Sequence, residues 1–149
     1  MAAYNKFSPF VEDLAHGVHD FTLSTGDQLT VCLTNTLPDA GDALLSDLTP
    51  VAYTYVSGGA SALNITTSSS GQTSGTYDLV LSDLTITASG GDIGPFQYVV
   101  VYNSGTAVKT NPLICWFDYG SALTLSTGES LTIDFESDGP STGSLLTLA

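Results

Sequence analysis

The sequence predicts a mainly β chain, an antiparallel β-sandwich of jelly-roll type with one short N-terminal helix. Three observations lead there. Pro95–Asn103 and Leu113–Tyr119 concentrate β-branched and aromatic residues between Gly, Asn and Pro, so they form two strands of one antiparallel hairpin. Several further runs alternate apolar and polar residues between Gly-rich turns, the pattern of a sandwich or barrel. Only one stretch, near the N-terminus, has helical spacing of its apolar residues.

The helix is expected over Phe10–Val18. Ser8 can cap its free N–H groups, Pro9 suits the first helical position, and Glu12 and Asp13 sit near the positive end of the dipole. Phe10, Val11, Leu14 and Val18 make one apolar stripe. Beyond it, Thr25-Gly26-Asp27 turns the chain into a strand in which Leu29, Val31 and Leu33 face the core and Thr30, Cys32 and Thr34 form a mostly polar face. Residues 35–49 are an acidic connection whose Leu44-Leu45 patch permits one helical turn between Pro38 and Pro50.

Thr49–Val56 reads as an extended segment and Ala60–Thr67 as a strand, followed by Ser68–Gly75 with the composition of a flexible loop. Thr76–Ala88 carries clear alternation, with Leu84, Ile86 and Ala88 on one face. The hairpin follows; its first run is apolar on both faces at Val99, Val100 and Val101, which suits a strand covered on each side. Leu125-Ser-Thr-Gly-Glu-Ser-Leu-Thr-Ile133 echoes Leu23-Ser-Thr-Gly-Asp-Gln-Leu-Thr-Val31, so two strands share an equivalent lead-in turn; one unit does not make duplicated halves. Asp138-Gly139 marks a last turn, and Ser144–Leu148 a terminal strand that needs an edge to pair with.

With 149 residues the chain fits one domain, residues 1–149, in which 1–19 form an N-terminal arm and helix and 20–149 the sandwich. Fifteen acidic residues face two lysines, Lys6 and Lys109, and no arginine, for a formal net charge of −13. Nucleic-acid binding needs a basic footprint on phosphate, and an anionic membrane repels such a chain, so neither is expected as a partner. No apolar run reaches membrane-helix length, and the N-terminus lacks the layout of a secretory signal, so synthesis in a cytoplasm is expected. Cys32 and Cys115 lie in separate apolar runs with no zinc or redox spacing and read as buried thiols, with a disulfide as the lesser alternative.

Chemistry-bearing constellations are sparse. His16 and His19 could share a helical face, but Gly17 lies between them, no further His exists, and no metal or other cofactor is expected. Asp118 and Asp134 lie near strand ends, where acidic residues are usually turn formers. No nucleophile elbow or phosphate loop is present, and the reading is not an enzyme.

Tyr4–Phe7 with Phe10–Ala15, Leu29–Thr36, Ala88–Gly91, Pro95–Asn103, Asn111–Gly120, Thr132–Phe135 and Leu145–Leu148 together resemble the small virion structural proteins of tailed bacteriophages, of the capsid decoration or cement type. The resemblance spans nearly the whole chain and consists of fold-type patterns. It implies a protein on the capsid exterior that binds the major capsid protein at capsomer junctions and stabilises the head. It also allows a homo-oligomer, such as a trimer, and it leaves a tail or head–tail connector position open.

On this reading the contact residues are Tyr4, Phe7 and Phe10, with Lys109 at the hairpin tip and Leu145 and Leu146 in the final strand, because interface cores are rich in aromatic residues and strand addition needs a terminal edge. The same aromatics could instead seal the domain's own core. A rival reading is a carbohydrate- or receptor-binding module with an aromatic platform at Tyr53, Tyr55, Trp116 and Tyr119, and there too Trp116 and Tyr119 could be core residues.

Overall fold

The computed structural model describes residues 3–135 and 144–148. Its strands are β1 (Ala3–Lys6), β2 (Leu29–Thr34), β3 (Asn64–Ile65), β4 (Thr67–Thr73), β5 (Thr76–Leu81), β6 (Leu84–Thr87), β7 (Ile93–Asn103), β8 (Leu113–Leu125), β9 (Ser130–Ile133) and β10 (Leu146–Leu148). Among the described residues the helical elements include α1 (Ser8–Ala15) and two 3-10 turns, Leu45–Asp47 and Ala60–Leu63. Strand order is β1-β8-β7-β2-β3 in a five-stranded sheet, β10-β5-β4 in a three-stranded sheet and β6-β9 in a pair. Every described strand pair is antiparallel, and the sheets pack together as a β-sandwich.

The predicted hairpin is the centre of the large sheet. β7 lies between β8 and β2, with Val99 opposite Phe117 and Leu33, and Val100 opposite Trp116 and Cys32. Directly opposed residues share a face, so the sheet has an aliphatic side (Leu29, Val31, Leu33, Val99, Val101, Cys115, Phe117) and a mixed side (Thr30, Cys32, Thr34, Tyr98, Val100, Trp116). All of these residues are buried. The aliphatic side belongs to one core with Leu79, Leu81, Ile86 and Phe135, the last reached through Phe117 at 6.1 Å between rings.

The mixed side of β2, expected to be a polar outer face, is also covered. Thr34 Oγ1 donates to the Thr49 carbonyl at 2.8 Å, Thr34 bridges to Pro50, and Tyr53 packs against Cys32. Residues 49–56, expected as an extended segment, cover this face through bridges at Pro50 and Val56 and a turn at Thr54-Tyr55. The two thiols are free and buried on opposite faces, Cys32 opposite Val100 and Cys115 opposite Val101, so a bridge between them is geometrically closed. Burial pushes the Cys32 thiol up to about 11, against a smaller opposing bond from Tyr53, and raises Cys115 as well.

The helix is shorter than predicted and differently capped. Phe7 holds the N-cap position without a side-chain cap; Ser8 is already helical, and its N–H donates to the Ala40 carbonyl at 2.7 Å. Gly17, at φ +67°, ends it: Val18 N–H donates to Asp13 O at 2.9 Å and Gly17 N–H to Leu14 O at 3.2 Å, a Schellman closure. Asp13 consequently lies in the last turn, at the negative end of the dipole, and Val11 turns out to solvent at 51% exposure, leaving the stripe to Phe10 and Leu14.

Two further expectations change. Thr76–Ala88 is not one strand: Ser82-Asp83 separates β5 from β6, which belong to different sheets. Ser68–Gly75 is not a loop: Ser74 (φ 52°) and Gly75 (φ 88°) make a two-residue turn with both central φ positive, and Thr73 pairs with Thr76 to close a β4–β5 hairpin. The predicted terminal strand forms as β10 and pairs with β5, Leu146 opposite Leu79 and Leu148 opposite Tyr77. The predicted turn at Asp138-Gly139 lies outside the described residues.

Candidate functional site

The residues nominated for partner contact are mostly interior. Phe7 and Phe10 are 0% and 1% exposed; Phe7 packs on Trp116 with ring centroids 4.5 Å apart, and Phe10 on His19 at 5.2 Å. Leu145 and Leu146 are buried in the same core. Tyr4 is half-buried in β1, edge-on to Phe117 at 5.7 Å, and burial, with a smaller contribution from Cys115, raises its phenol pKa. The strand elements proposed for strand addition, β1 and β10, pair on one side with β8 and β5 of their own chain, and no described strand pairs with their other sides.

Lys109 does not stand free at the hairpin tip. Its Nζ donates to both carboxylate oxygens of Asp13, at 2.8 and 2.7 Å, across 96 residues of sequence. Around it a polar cluster fastens the β7–β8 loop to the helix end and to the lead-in of β2. Asn103, fully buried, donates from Nδ2 to Asp27 Oδ2 at 2.7 Å and to His19 Nδ1 at 3.1 Å, while its Oδ1 accepts from the N–H groups of Gly105 and Thr106. All four hydrogen-bonding capacities of that amide are thus used. Thr106 Oγ1 adds a bond to Val18 O at 2.7 Å, and Gly105 passes so close to Gln28 that a Cβ there would stand 2.3 Å from its backbone nitrogen.

His16 and His19 are not brought together. His16 is exposed and weakly paired to Glu12 at 3.8 Å, whereas His19 is buried, stacked on Phe21 at 5.5 Å, with no hydrogen-bond partner at Nε2 among the described residues. Among the described residues no three His, Cys, Asp or Glu are grouped to hold a metal ion. Burial holds the His19 pKa below its usual 6.5; Asp13 and Asp27 pull it up by smaller amounts, and Lys109 adds to the lowering. The unfolded ring then binds a proton more readily than the folded one, so its stabilising effect is complete above pH 6.5 and is lost as pH falls from there through the folded value. Urea unfolding between about pH 7.5 and 5 should show stability falling on acidification, with a flatter profile in His19→Gln. Equal slopes for both proteins would remove His19 from this role.

The four aromatic-platform candidates are also separated in role. Trp116 is 7% exposed beneath Phe7, and Tyr53 is half-buried against Cys32. Tyr55 lies over Gly91, and Tyr119 projects at 55% exposure from the β8 bulge around Gly120. Among the described residues no ring contact joins any two of the four. Asp118, at the base of that bulge, accepts from Gln97 Nε2 at 2.9 Å and from Gly120 N–H at 2.7 Å, the part of a turn former.

β1, β3, β10, β6 and β9 each have one described strand partner, and so does β4, the segment expected to be a loop. β4 pairs with β5 on one side, and no described strand pairs with its other side. Its sequence, Thr67-Ser-Ser-Ser-Gly-Gln-Thr73, has no charge and no proline, and most of it is exposed. The ladder shifts at Thr67/Ser69, leaving Ser69–Thr73 regular. Since Thr73 and Thr76 close a two-residue hairpin as a hydrogen-bonded pair, alternation directs the backbone groups of Ser69 and Gly71 toward β5 and those of Ser70 and Gln72 outward. The signal in the sequence was Ser-Gly flanked by threonines, a hairpin cue hidden by low-complexity composition.

No protein-family model, curated protein or solved structure matches this chain.

Proposed function

We propose that this chain is a structural component of a tailed-bacteriophage virion, a capsid decoration protein that binds the major capsid protein outside the shell at capsomer junctions. The observation that carries the reading is the β4 edge. Natural sheets blunt free edges with lysine, proline or inward charge, because an unprotected edge is a template for another chain. Here an uncharged edge is kept on a chain of net charge −13, as suits an edge that a partner covers after assembly. Phe7, Phe10, Leu145 and Leu146 are already buried within the chain's own core and are not offered to a partner. The acidic exterior would keep decorated particles apart.

The resemblance of the sequence to small virion proteins supports the same reading, and it allows, without showing, a trimer at the shell. A glycan-stacking role is less well supported, because Trp116 offers no exposed face. The test is addition of purified protein to undecorated capsids. Binding at hundreds of copies per particle with raised heat resistance is expected. A few copies or a few dozen would instead favour the tail or connector, and no binding at all would remove the capsid-decoration reading.

A further inference from the structure

Beside the β4 edge lies an open groove of about 490 Å³, lined by Leu14, Phe21, Thr22 and Leu23 on one wall and by Ser70, Tyr77 and Leu148 on the other. Leu23 and Leu148 are exposed at 44% and 41%, an apolar surface with water against it. Edge and groove are geometrically linked. Ser70 is opposite Leu79, Gln72 is opposite Tyr77, and Leu148 is opposite Tyr77 from the other side, so these residues share the face that looks into the groove. Gly71, opposite Asp78, is on the reverse face.

We infer that the β4 edge and this groove form one peptide-binding site, and that its occupant is an extended partner segment of the pattern apolar–basic–apolar. The inference rests on β4 being the contact strand of the reading above. A strand added to β4 takes its hydrogen bonds from the outward groups of Ser70 and Gln72. Its residues opposite those two then point into the groove, toward Leu14, Phe21 and Leu23, which selects apolar side chains at alternate positions. The residue between them is on the reverse face opposite Gly71. A Cβ added at Gly71 would meet nothing within 4 Å, so a long side chain there has a clear path over it to the Asp78 carboxylate. Asp78 is half-buried and accepts from Ser144 at 3.1 Å and Thr147 at 2.8 Å, which holds its position.

A second copy of β4 fits less well, because its serines, glycine and glutamine bring no apolar group to the groove. The formal charge of −13 acts in the same direction, opposing self-association and favouring a cationic segment.

The probe is acetyl-Thr-Val-Lys-Val-Lys-Val-Thr-amide, compared with the same peptide carrying glutamate for lysine, each titrated into the full chain and followed by amide NMR shifts. Shifts are expected at Ser70 and Gln72 and around Leu23, with the lysine peptide at least about tenfold tighter. Ser70→Pro removes an outward N–H, a change edge strands tolerate, and should weaken binding at least about tenfold. Asp78→Asn should bring the two peptides within about threefold of each other, and Leu23→Asp should weaken both while leaving the edge intact. No shift in β4 at millimolar peptide, undiminished binding by Ser70→Pro, or concentration-dependent dimers through β4 without peptide would each overturn the inference. If the peptide binds at β4 but capsids do not bind, the site stands and the capsid-decoration reading fails. If capsids bind while β4 stays silent to the peptide, the reverse holds.

Discussion

Replacing Phe7 with alanine is expected to lower the unfolding free energy by about 3–5 kcal/mol, the range for deleting a buried aromatic ring from a packed core. The side chain is 0% exposed, its ring lies 4.5 Å from that of Trp116 at a 47° tilt, and its N–H donates to the Ile114 carbonyl at 3.2 Å. It also stands at the junction between β1 and α1, so the cavity would loosen the seat of both elements on β8. A loss of this size is a large part of the roughly 5–15 kcal/mol that domains possess. The measurement is the urea midpoint at unchanged slope, with Val11→Ala as the control. Val11, 51% exposed on the same helix, should stay within about 0.5 kcal/mol of the parent. Were Phe7 a docking residue instead, its truncation would leave the midpoint in place and weaken partner binding. A stability loss with normal capsid binding at low temperature assigns it to the core.

The difference between these two outcomes marks where sequence reading reaches its limit here. The β7–β8 hairpin was legible because consecutive valines and aromatics exclude a solvent-facing strand, and the structure buries Val99, Val100 and Val101 together. The N-terminal aromatics were visible as a cluster, but their destination was not, since a core and an interface select the same residue types. β4 was missed because its serines and threonines give no apolar alternation; its partner β5 supplies the hydrophobic face instead. The split of Thr76–Ala88 into β5 and β6 does have a local signal: the apolar face falls at Tyr77, Leu79 and Leu81 and then at Leu84, Ile86 and Ala88, so the alternation slips by one at Ser82-Asp83, where the chain changes sheets.

The repeated phrase Leu-Ser-Thr-Gly shows tertiary context deciding geometry. In the first copy Ser24 adopts φ 70° and the Gly26 N–H donates to the Thr22 carbonyl at 2.8 Å, leading into buried β2. In the second, Gly128 adopts φ 91° and Glu129 accepts from Ser126 N–H, leading into β9 beside β6. Identical local words therefore enter different sheets. The candidate site was the least legible part, for it combines an edge from residues 67–73, a wall from residues 14–23 and Leu148, which only the fold brings together.

Lys109→Met is expected to cost about 2–4 kcal/mol, the second large effect, even though Lys109 is a loop residue in sequence terms. Its side chain is 30% exposed, but that of Asp13 is only 9% exposed, so removing the cation strands a buried carboxylate. The helix dipole makes matters worse, because Asp13 lies in the last turn, where negative charge is disfavoured. His19 is close by but buried without charge above its depressed pKa, and so supplies no replacement cation at neutral pH. The double variant Asp13→Leu/Lys109→Met removes both charges together and should recover to within about 1 kcal/mol of the parent, as paired charges exchanged for apolar groups commonly do. A cycle of these variants in urea, at pH 7.5 and in low and high salt, measures the coupling. Coupling near zero, with both single variants mild, would return Lys109 to the surface as a cation free to meet a partner. Coupling of about 2 kcal/mol or more that survives high salt fixes it as the clasp between the hairpin tip and the helix, and leaves recognition to the β4 edge.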